Sequence, residues 1–457
     1  MKTLYLFTLL FLSPFCLVTG QTHNWTGNGG DNDWFNTANW DAGSVPIETS
    51  TVSIVGNVTV HITGSDATAY TIDLINGSTL ELDGNLNTDS IITVRASATF
   101  KFISGVLSGS GILNDGLVLF EGLQMRTLSN TIINNNGHLL VTDTNQTQVL
   151  STTINNNSTG ILEIASVGGF LQQSTTATLN NAGTVIKTPD GINPIGNFYL
   201  IMTINNDGVF EVMEDQIFLL LAGAATFTNS VTGRLVGNGT YDITSEFVNM
   251  GTIAPGNSPD VGSLDITNNF SLTGGKIDLD IEGPANGQYD KISVTGFPAM
   301  DGFLNINLKY SAALGDSFTI VTWTPSGNSC LFPDTTTASF DGLEYTFDIN
   351  CNANDVILLV SDISVLGIDD NATQDVEFFI SPNPVTTEAS FTFSSDVTRF
   401  ENVSLAVYNY LGQQIIRRDH FTTENNTFNR GNLPSGLYFA QLETDSKILA
   451  TARMVLK

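Results

Sequence analysis

One short phrase recurs along the chain. It reads ILNDGLVL at 112–119, INNNGHLLV at 133–141, INNNSTGILEI at 154–164 and LNNAGTVIK at 179–187, then INNDGVFEV at 204–212, FTNSVTGRL at 227–235 and FVNMGTI at 247–253. Its glycines, Gly116, Gly137, Gly160, Gly183, Gly208, Gly233 and Gly251, are separated by 21, 23, 23, 25, 25 and 18 residues. A near-constant period of this size signals a stacked repeat. Each glycine follows an asparagine (Asn114, Asn135, Asn156, Asn181, Asn206, Asn229 and Asn249) and precedes a run that alternates apolar and polar residues. Period-two alternation specifies strands. Asn and Gly tolerate left-handed backbone, so each pair predicts a sharp left-handed corner. No unit can bury its apolar side alone. Parallel strands stacked about 4.8 Å apart bury it and let equivalent Asn side chains hydrogen-bond in a ladder. The expected fold is all-β: a right-handed parallel β-helix of nine or ten coils over 51–262, roughly 45 Å long. An antiparallel sandwich is the alternative that such turn-rich strands leave open.

The flanking segments differ. The opening MKTLYLFTLLFLSPFCLVTGQ reads as a secretory signal peptide over residues 1–20, too short in its apolar run for a spanning helix. Residues 21–50 hold Trp25, Trp34 and Trp40 and are expected to cap the open end of the coil. Residues 263–366 read as a β-rich closing region, and the polar stretch 367–375 as a linker. From 376 to the C-terminus, alternating strands and turn residues describe a small Ig-like antiparallel β-sandwich. Cys330 and Cys351 are the two cysteines outside the signal peptide, and in an exported chain they are expected to pair.

Charge excludes some functions. The chain carries 16 basic and 45 acidic side chains, a net charge of −29. Residues 1–370 hold 9 basic and 36 acidic groups, against 7 and 9 in the remainder. Such a body repels phosphate backbones and anionic lipid, so no nucleic-acid partner is expected. No apolar run after the signal peptide is long enough to span a bilayer. Asp-rich turns such as GGDNDW at 29–34 could hold Ca²⁺ loosely, but there is no complete Ca²⁺ loop, and no metal or other cofactor site is expected.

No catalytic residue stands out. His23, His61, His138 and His420 lie near no G-x-S-x-G, and no phosphate loop or HExxH is present. His138 falls in a repeat corner where other units carry Ser, Thr or Val, and reads as a surface substitution. The cations Arg95, Lys101, Arg126, Lys187 and Arg234 fall in no acidic cluster, and strands present Glu121, Glu163 and Glu211 singly. A glycosidase needs two facing carboxylates, and Glu214-Asp215 at a strand end is the best pair available. The body therefore reads as adhesive, glycan-binding or structural, with Thr- and Asn-rich faces touching extended glycans or cell surfaces. A polysaccharide lyase or glycosidase on the same scaffold is the alternative.

Two stretches resemble known families. PGNSP at 255–259, Tyr289-Asp290, Val294, Gly296 and Gly315-Asp316 with Phe318 resemble the closing part of autotransporter-type β-helix passengers, with no membrane barrel following. The C-terminal segment resembles the type A sorting domain of the type IX secretion system of Bacteroidota. The resemblance rests on Pro382-Asn383-Pro384, on Tyr408, Gly412 and Gln413, on Leu433 followed by Pro434, Ser435, Gly436, Leu437 and Tyr438, and on a basic last strand ending in Lys457. Asn409 stands where that family often has Asp, and Arg453 where Lys is common. The resemblance implies partners, the outer-membrane translocon and its sortase. It implies a destination as well: the cell surface or the medium of a Gram-negative bacterium.

Overall fold

The computed structural model describes residues 20–457, apart from 143–144, 166–167, 174–175, 190–196, 221–225, 257–258, 269, 297, 325–328, 366–377, 394–402, 422–425 and 445–447. The expected signal peptide (except Gly20), the linker, and Asn257 and Ser258 of the PGNSP turn lie outside the described residues. The chain divides into two compact units, up to Ser364 and from Val365 onwards.

The first unit is a parallel β-helix. Two long strands, Thr79–Val94 and Thr99–Asn114, each run a whole circuit of the coil. The second of these pairs in parallel with Leu117–Phe120, Arg126–Ser129 and Ile132–Asn135, which open the three faces of the next coil. The first face climbs through His138–Val141, Ile161–Ile164, Thr184–Lys187, Val209–Val212, Arg234–Gly237 and Thr252–Pro255. The third climbs through Thr153–Asn156, Thr178–Asn181, Thr203–Asn206, Thr226–Asn229 and Glu246–Asn249. Alternation turns every second residue inward, so like residues stack. Val118, Leu139, Leu162, Val185, Phe210, Leu235 and Ile253 form one fully buried column. Ile112, Ile133, Ile154, Leu179, Ile204 and Phe227 form another.

The corner asparagines point inward too, and all seven are buried. Each carboxamide Nδ2 donates to the Oδ1 one coil on: Asn114 to Asn135 at 2.6 Å, Asn135 to Asn156 at 2.7 Å, Asn156 to Asn181 at 2.7 Å, Asn181 to Asn206 at 2.6 Å, Asn206 to Asn229 at 2.7 Å and Asn229 to Asn249 at 2.7 Å. The second N–H of Asn114, Asn135, Asn156 and Asn181 reaches a main-chain carbonyl at 2.9–3.0 Å. Asn249 ends the series, and its Nδ2 has no hydrogen-bond partner among the described residues.

The corner glycines correct one expectation. None of the seven has a positive φ, and neither do their asparagines. Glycine is required for closeness. A Cβ on Gly183 would sit 2.3 Å from the carbonyl oxygens of both Asn157 and Gly160, and one on Gly208 2.2 Å from that of Gly183. The column continues where the asparagines stop: a Cβ on Gly275 would lie 2.5 Å from the Gly251 oxygen, and one on Gly302 2.2 Å from that of Gly275.

Parallel pairing accordingly runs beyond residue 262. Ser263–Thr267 pairs with Lys291–Thr295, and this with Ser317–Thr324. Ser271–Ile281 pairs with Ala299–Leu308, whose first residues pair with Ser329–Cys330. The sequence hides these coils because only their glycines keep the repeat. The Tyr289-Asp290 motif is a clamp between them: the buried Asp290 carboxylate accepts from Gly262 N at 2.6 Å and Asp280 N at 2.8 Å. Antiparallel strands then close the end. Asp355–Val365 folds back on Ser317–Thr324, and Thr335–Phe340 pairs with Leu343–Cys351. The hairpin turns on Asp341 and Gly342, with φ of 48° and 76°, as a two-residue turn of the right twist demands. The Cys330–Cys351 disulfide ties this hairpin to the last parallel strand, with Cα atoms 6.2 Å apart. Closing that loop is worth about 3 kcal/mol on the loop-entropy account.

At the opposite end, Thr22–Asn24 pairs in parallel with Thr51–Ser53. Trp34 and Trp40 are buried in the core in T-shaped contact with each other, and Trp25 packs edge-on against Trp40. Trp40 Nε1 donates to the Trp34 carbonyl at 2.8 Å. The rings are packed inside the end of the coil.

The second unit is two antiparallel sheets. One holds Phe378–Ser381, Glu388–Phe393 and Thr427–Asn429; the other holds Ser404–Asn409, Gln414–Arg418, Gly436–Glu443 and Ile448–Leu456. Phe391, Val407, Phe428, Ala440, Leu442 and Met454 fill the layer between them.

Candidate functional site: the C-terminal motifs and the faces of the coil

The C-terminal motifs are scattered in sequence, and two side chains tie several of them together. Asn383, between two cis prolyl bonds at Pro382 and Pro384, acts as a substitute strand residue. Its Nδ2 donates to the Arg453 carbonyl at 2.7 Å and its Oδ1 accepts from Val455 N at 2.8 Å. Main-chain bonds between Val385 and Val455 and between Lys457 and Val385 continue the pairing to the end of the chain. Arg430, which the sequence did not single out, completes the junction. Its guanidinium donates to the Leu433 carbonyl at 3.2 Å, the Ser435 hydroxyl at 3.0 Å, the Thr386 carbonyl at 3.4 Å and the Lys457 carbonyl. Tyr438, buried, donates its hydroxyl to the Pro434 carbonyl at 3.0 Å. The prolines, the Leu-Pro-Ser-Gly turn and the last residue thus form one structure.

Tyr408, Gly412 and Gln413 lie elsewhere, at the tip of the hairpin beside Tyr438. Asn409 Oδ1 accepts from Leu411 N and Gln413 N at 3.0 and 2.9 Å, its Nδ2 donates to Gln413 Oε1 at 2.9 Å, and Gly412 takes φ 77°. An aspartate could make the first two bonds but not the third. Leu437 stays half exposed on the outer face of the sheet.

On the coil, stacking decides which charges meet, and here the sequence reading needs correcting. Acids and cations that look isolated along the chain stand side by side one coil apart. Lys101 lies between Glu81 at 3.4 Å and Glu121 at 2.5 Å, and Glu81 also meets His61 at 2.8 Å. The two carboxylates hold the Lys101 ammonium, raising its pKa despite partial burial. Arg95 pairs with Asp73 at 2.8 Å. His138 is on the surface, its Nε2 3.0 Å from Glu163. Arg126 and Lys187 are buried. Lys187 Nζ donates to Gln216 Oε1 at 2.8 Å, directly beneath the turn that carries Glu214 and Asp215. Both of those carboxylates are exposed, and Asp215 has φ 61°. Among the described residues no group of three or more His, Cys, Asp or Glu gathers in metal-binding fashion. In the GGDNDW turn, Asp31 accepts from Asn36 and Asn39 amides at 2.9 and 2.6 Å, bonds that lower its pKa.

The outward surface of the third face is uncharged through its middle. Thr153, Thr178, Thr203 and Thr226 lie in one row. Asn134, Asn155, Asn180 and Asn205 lie in the next, ending at Thr228. This outer asparagine row is a second ladder: Asn155 donates to Asn134 at 2.8 Å, Asn180 to Asn155 at 2.9 Å and Asn205 to Asn180 at 2.8 Å. It runs opposite to the buried ladder, each amide donating toward the N-terminal coil, so the two sets of amide dipoles offset one another. Side-chain ladders of this kind stabilise a flat sheet. Here they also fix the rotamers of a regular array of donors and acceptors.

No curated protein matches the chain. No helix among the described residues is long and apolar enough to cross a membrane. Residues 380–457, the segment joined by Asn383 and Arg430, match the Secretion system C-terminal sorting domain family. The chain therefore carries a type IX secretion sorting domain behind a parallel β-helix body, and it is a protein secreted or attached to the cell surface.

Proposed function

We propose that the body is an adhesive rod whose third face touches extended, uncharged glycans. The supporting observation is the row of Thr hydroxyls and Asn carboxamides over residues 132–228, uncharged in a chain of net charge −29. Each coil repeats the same two groups about 4.8 Å on. Weak contacts repeated at that interval sum to avidity without a deep pocket. The ladder holds the amides in place beforehand, so little rotamer entropy is lost on contact. A secretory leader brings the chain to the periplasm of a bacterium of the Bacteroidota, and the translocon reads the sorting domain. A sortase then removes that domain, and the body is freed or joined to lipopolysaccharide. Calcium is at most loosely held, with no resident cofactor.

The test is retention of the exported chain on insoluble neutral polysaccharides, with and without Ca²⁺, while new sugar ends are followed. Saturable retention without cleavage, lost in Asn180→Asp/Thr203→Asp, supports adhesion. Retention that survives this double substitution removes the third face from the account. New reducing or unsaturated ends would make the body a polysaccharide-degrading enzyme instead, with Glu214 and Asp215 the first residues to replace.

A further inference from the structure

At the corner between the first and second faces, the segments 259–262 and 282–290 interrupt the regular coil. A cleft of about 410 Å³ opens there, lined by Glu214, Asn238, Ser263, Asn286, Tyr289 and Lys291, among others. Lys291 is unusual among the surface cations of this body, Arg126 and Lys187 being buried. Arg95, Lys101, Arg234, Lys276 and Lys309 each meet a carboxylate. Among the described residues none lies within ion-pair distance of Lys291. Its ammonium stands over the Tyr289 ring, 4.8 Å from the centroid, and donates to Asn286 Oδ1. Both partners are neutral. They position the charge without cancelling it, and leave a full positive charge at the cleft in a strongly acidic molecule.

The rest of the lining suits hydroxyl groups. Asn238 Oδ1 accepts from Ser263 N at 3.0 Å, which fixes its carboxamide beside the Ser263 hydroxyl. Glu214 supplies an acceptor for a hydroxyl.

We propose that this cleft binds an anionic sugar, with its carboxylate or sulfate on Lys291 and Asn286 and its hydroxyls on Asn238, Ser263 and Glu214. The site goes beyond the uncharged array of the third face and does not depend on it. The test is calorimetric titration of the whole exported chain with trigalacturonate, its methyl ester and a sulfated disaccharide. Trigalacturonate or the sulfated sugar is expected to bind, and whichever binds identifies the anion. Lys291→Gln should weaken it on the order of tenfold, the loss of one charge-assisted hydrogen bond. The methyl ester should be weakened similarly on the wild-type chain, a comparison that holds even if the variant fails to fold. Retention on neutral polysaccharide should be unchanged in Lys291→Gln, which separates this site from the third face. Equal binding of acid and ester, unchanged affinity in a folded Lys291→Gln, or no binding of either anion would overturn the proposal.

Discussion

Asn181 shows what a single residue contributes to the coil. Its Nδ2 serves Asn206 and the Val209 carbonyl, and its Oδ1 serves Asn156. Replacing it with Ala strands a buried donor and buried acceptors together, so Asn181→Ala should cost about 2–4 kcal/mol in denaturant unfolding. Asn249→Ala should cost less, because only its Oδ1 is engaged, by Asn229 Nδ2 and Gly251 N, and no acceptor among the described residues depends on its Nδ2. Equal losses would mean the ladder bonds contribute little. The glycines allow a parallel test. A Cβ on Gly183 meets two carbonyl oxygens, whereas at Gly43, with φ 65°, it meets nothing within 4 Å. Gly183→Ala should cost about 3 kcal/mol from forced backbone movement, against about 1 kcal/mol for Gly43→Ala from its left-handed backbone. The reverse order would restore the left-handed reading. The sequence made the Asn and Gly columns visible but not their cause. Turn chemistry and close approach both select glycine, and only the neighbouring coil tells them apart.

Among elements, the sorting domain depends on joints between strands that are far apart in sequence. Arg430→Ala removes bonds to both the Pro-Ser turn and the final carbonyl, and Asn383→Ala removes two bonds to the last strand. Each should lower the melting temperature of the exported chain and the fraction that reaches the medium. Arg430→Lys should fail to restore secretion, since one ammonium cannot span the carbonyls that the planar guanidinium reaches. Full secretion of Arg430→Lys would show that charge alone suffices. The proline, hairpin and Leu-Pro-Ser-Gly motifs were legible because their order resembles a family. Arg430 was not, because a lone Arg beside Gly431 carries no periodicity, and its meaning is its reach. The coils after residue 262 were missed for a similar reason: Gly275 and Gly302 continue the column without the asparagines that announce it.

For the whole molecule, acidity and burial set the pH response. Burial pushes the Asp290 carboxyl up to about 7, opposed by the Asp280 and Gly262 amides. The unfolded chain ionises this group from about pH 4, while the folded chain holds the proton until about 7. Its contribution to stability is therefore full below pH 4 and is lost as pH rises through 7. The melting temperature of the wild type minus that of Asp290→Asn should fall across this window, because asparagine does not titrate. A difference independent of pH would remove Asp290 from the account. Deleting residues 371–457 should leave the protein inside the cell; its appearance in the medium would mean that the address lies elsewhere.

The direction of the buried amide ladder bears on how such a protein changes length. Every internal asparagine both gives and receives, so a circuit duplicated between Gly137 and Gly208 finds a partner above and below at once. Asn249 receives but its Nδ2 gives to no described residue, so an identical circuit placed after it would take that donation and leave its own Nδ2 unpaired in turn. Adding or removing a whole circuit therefore leaves the ladder with the same single unpaired donor at its end. The length of the coil can thus change over generations while its cap, its disulfide-closed end and its export address stay as they are.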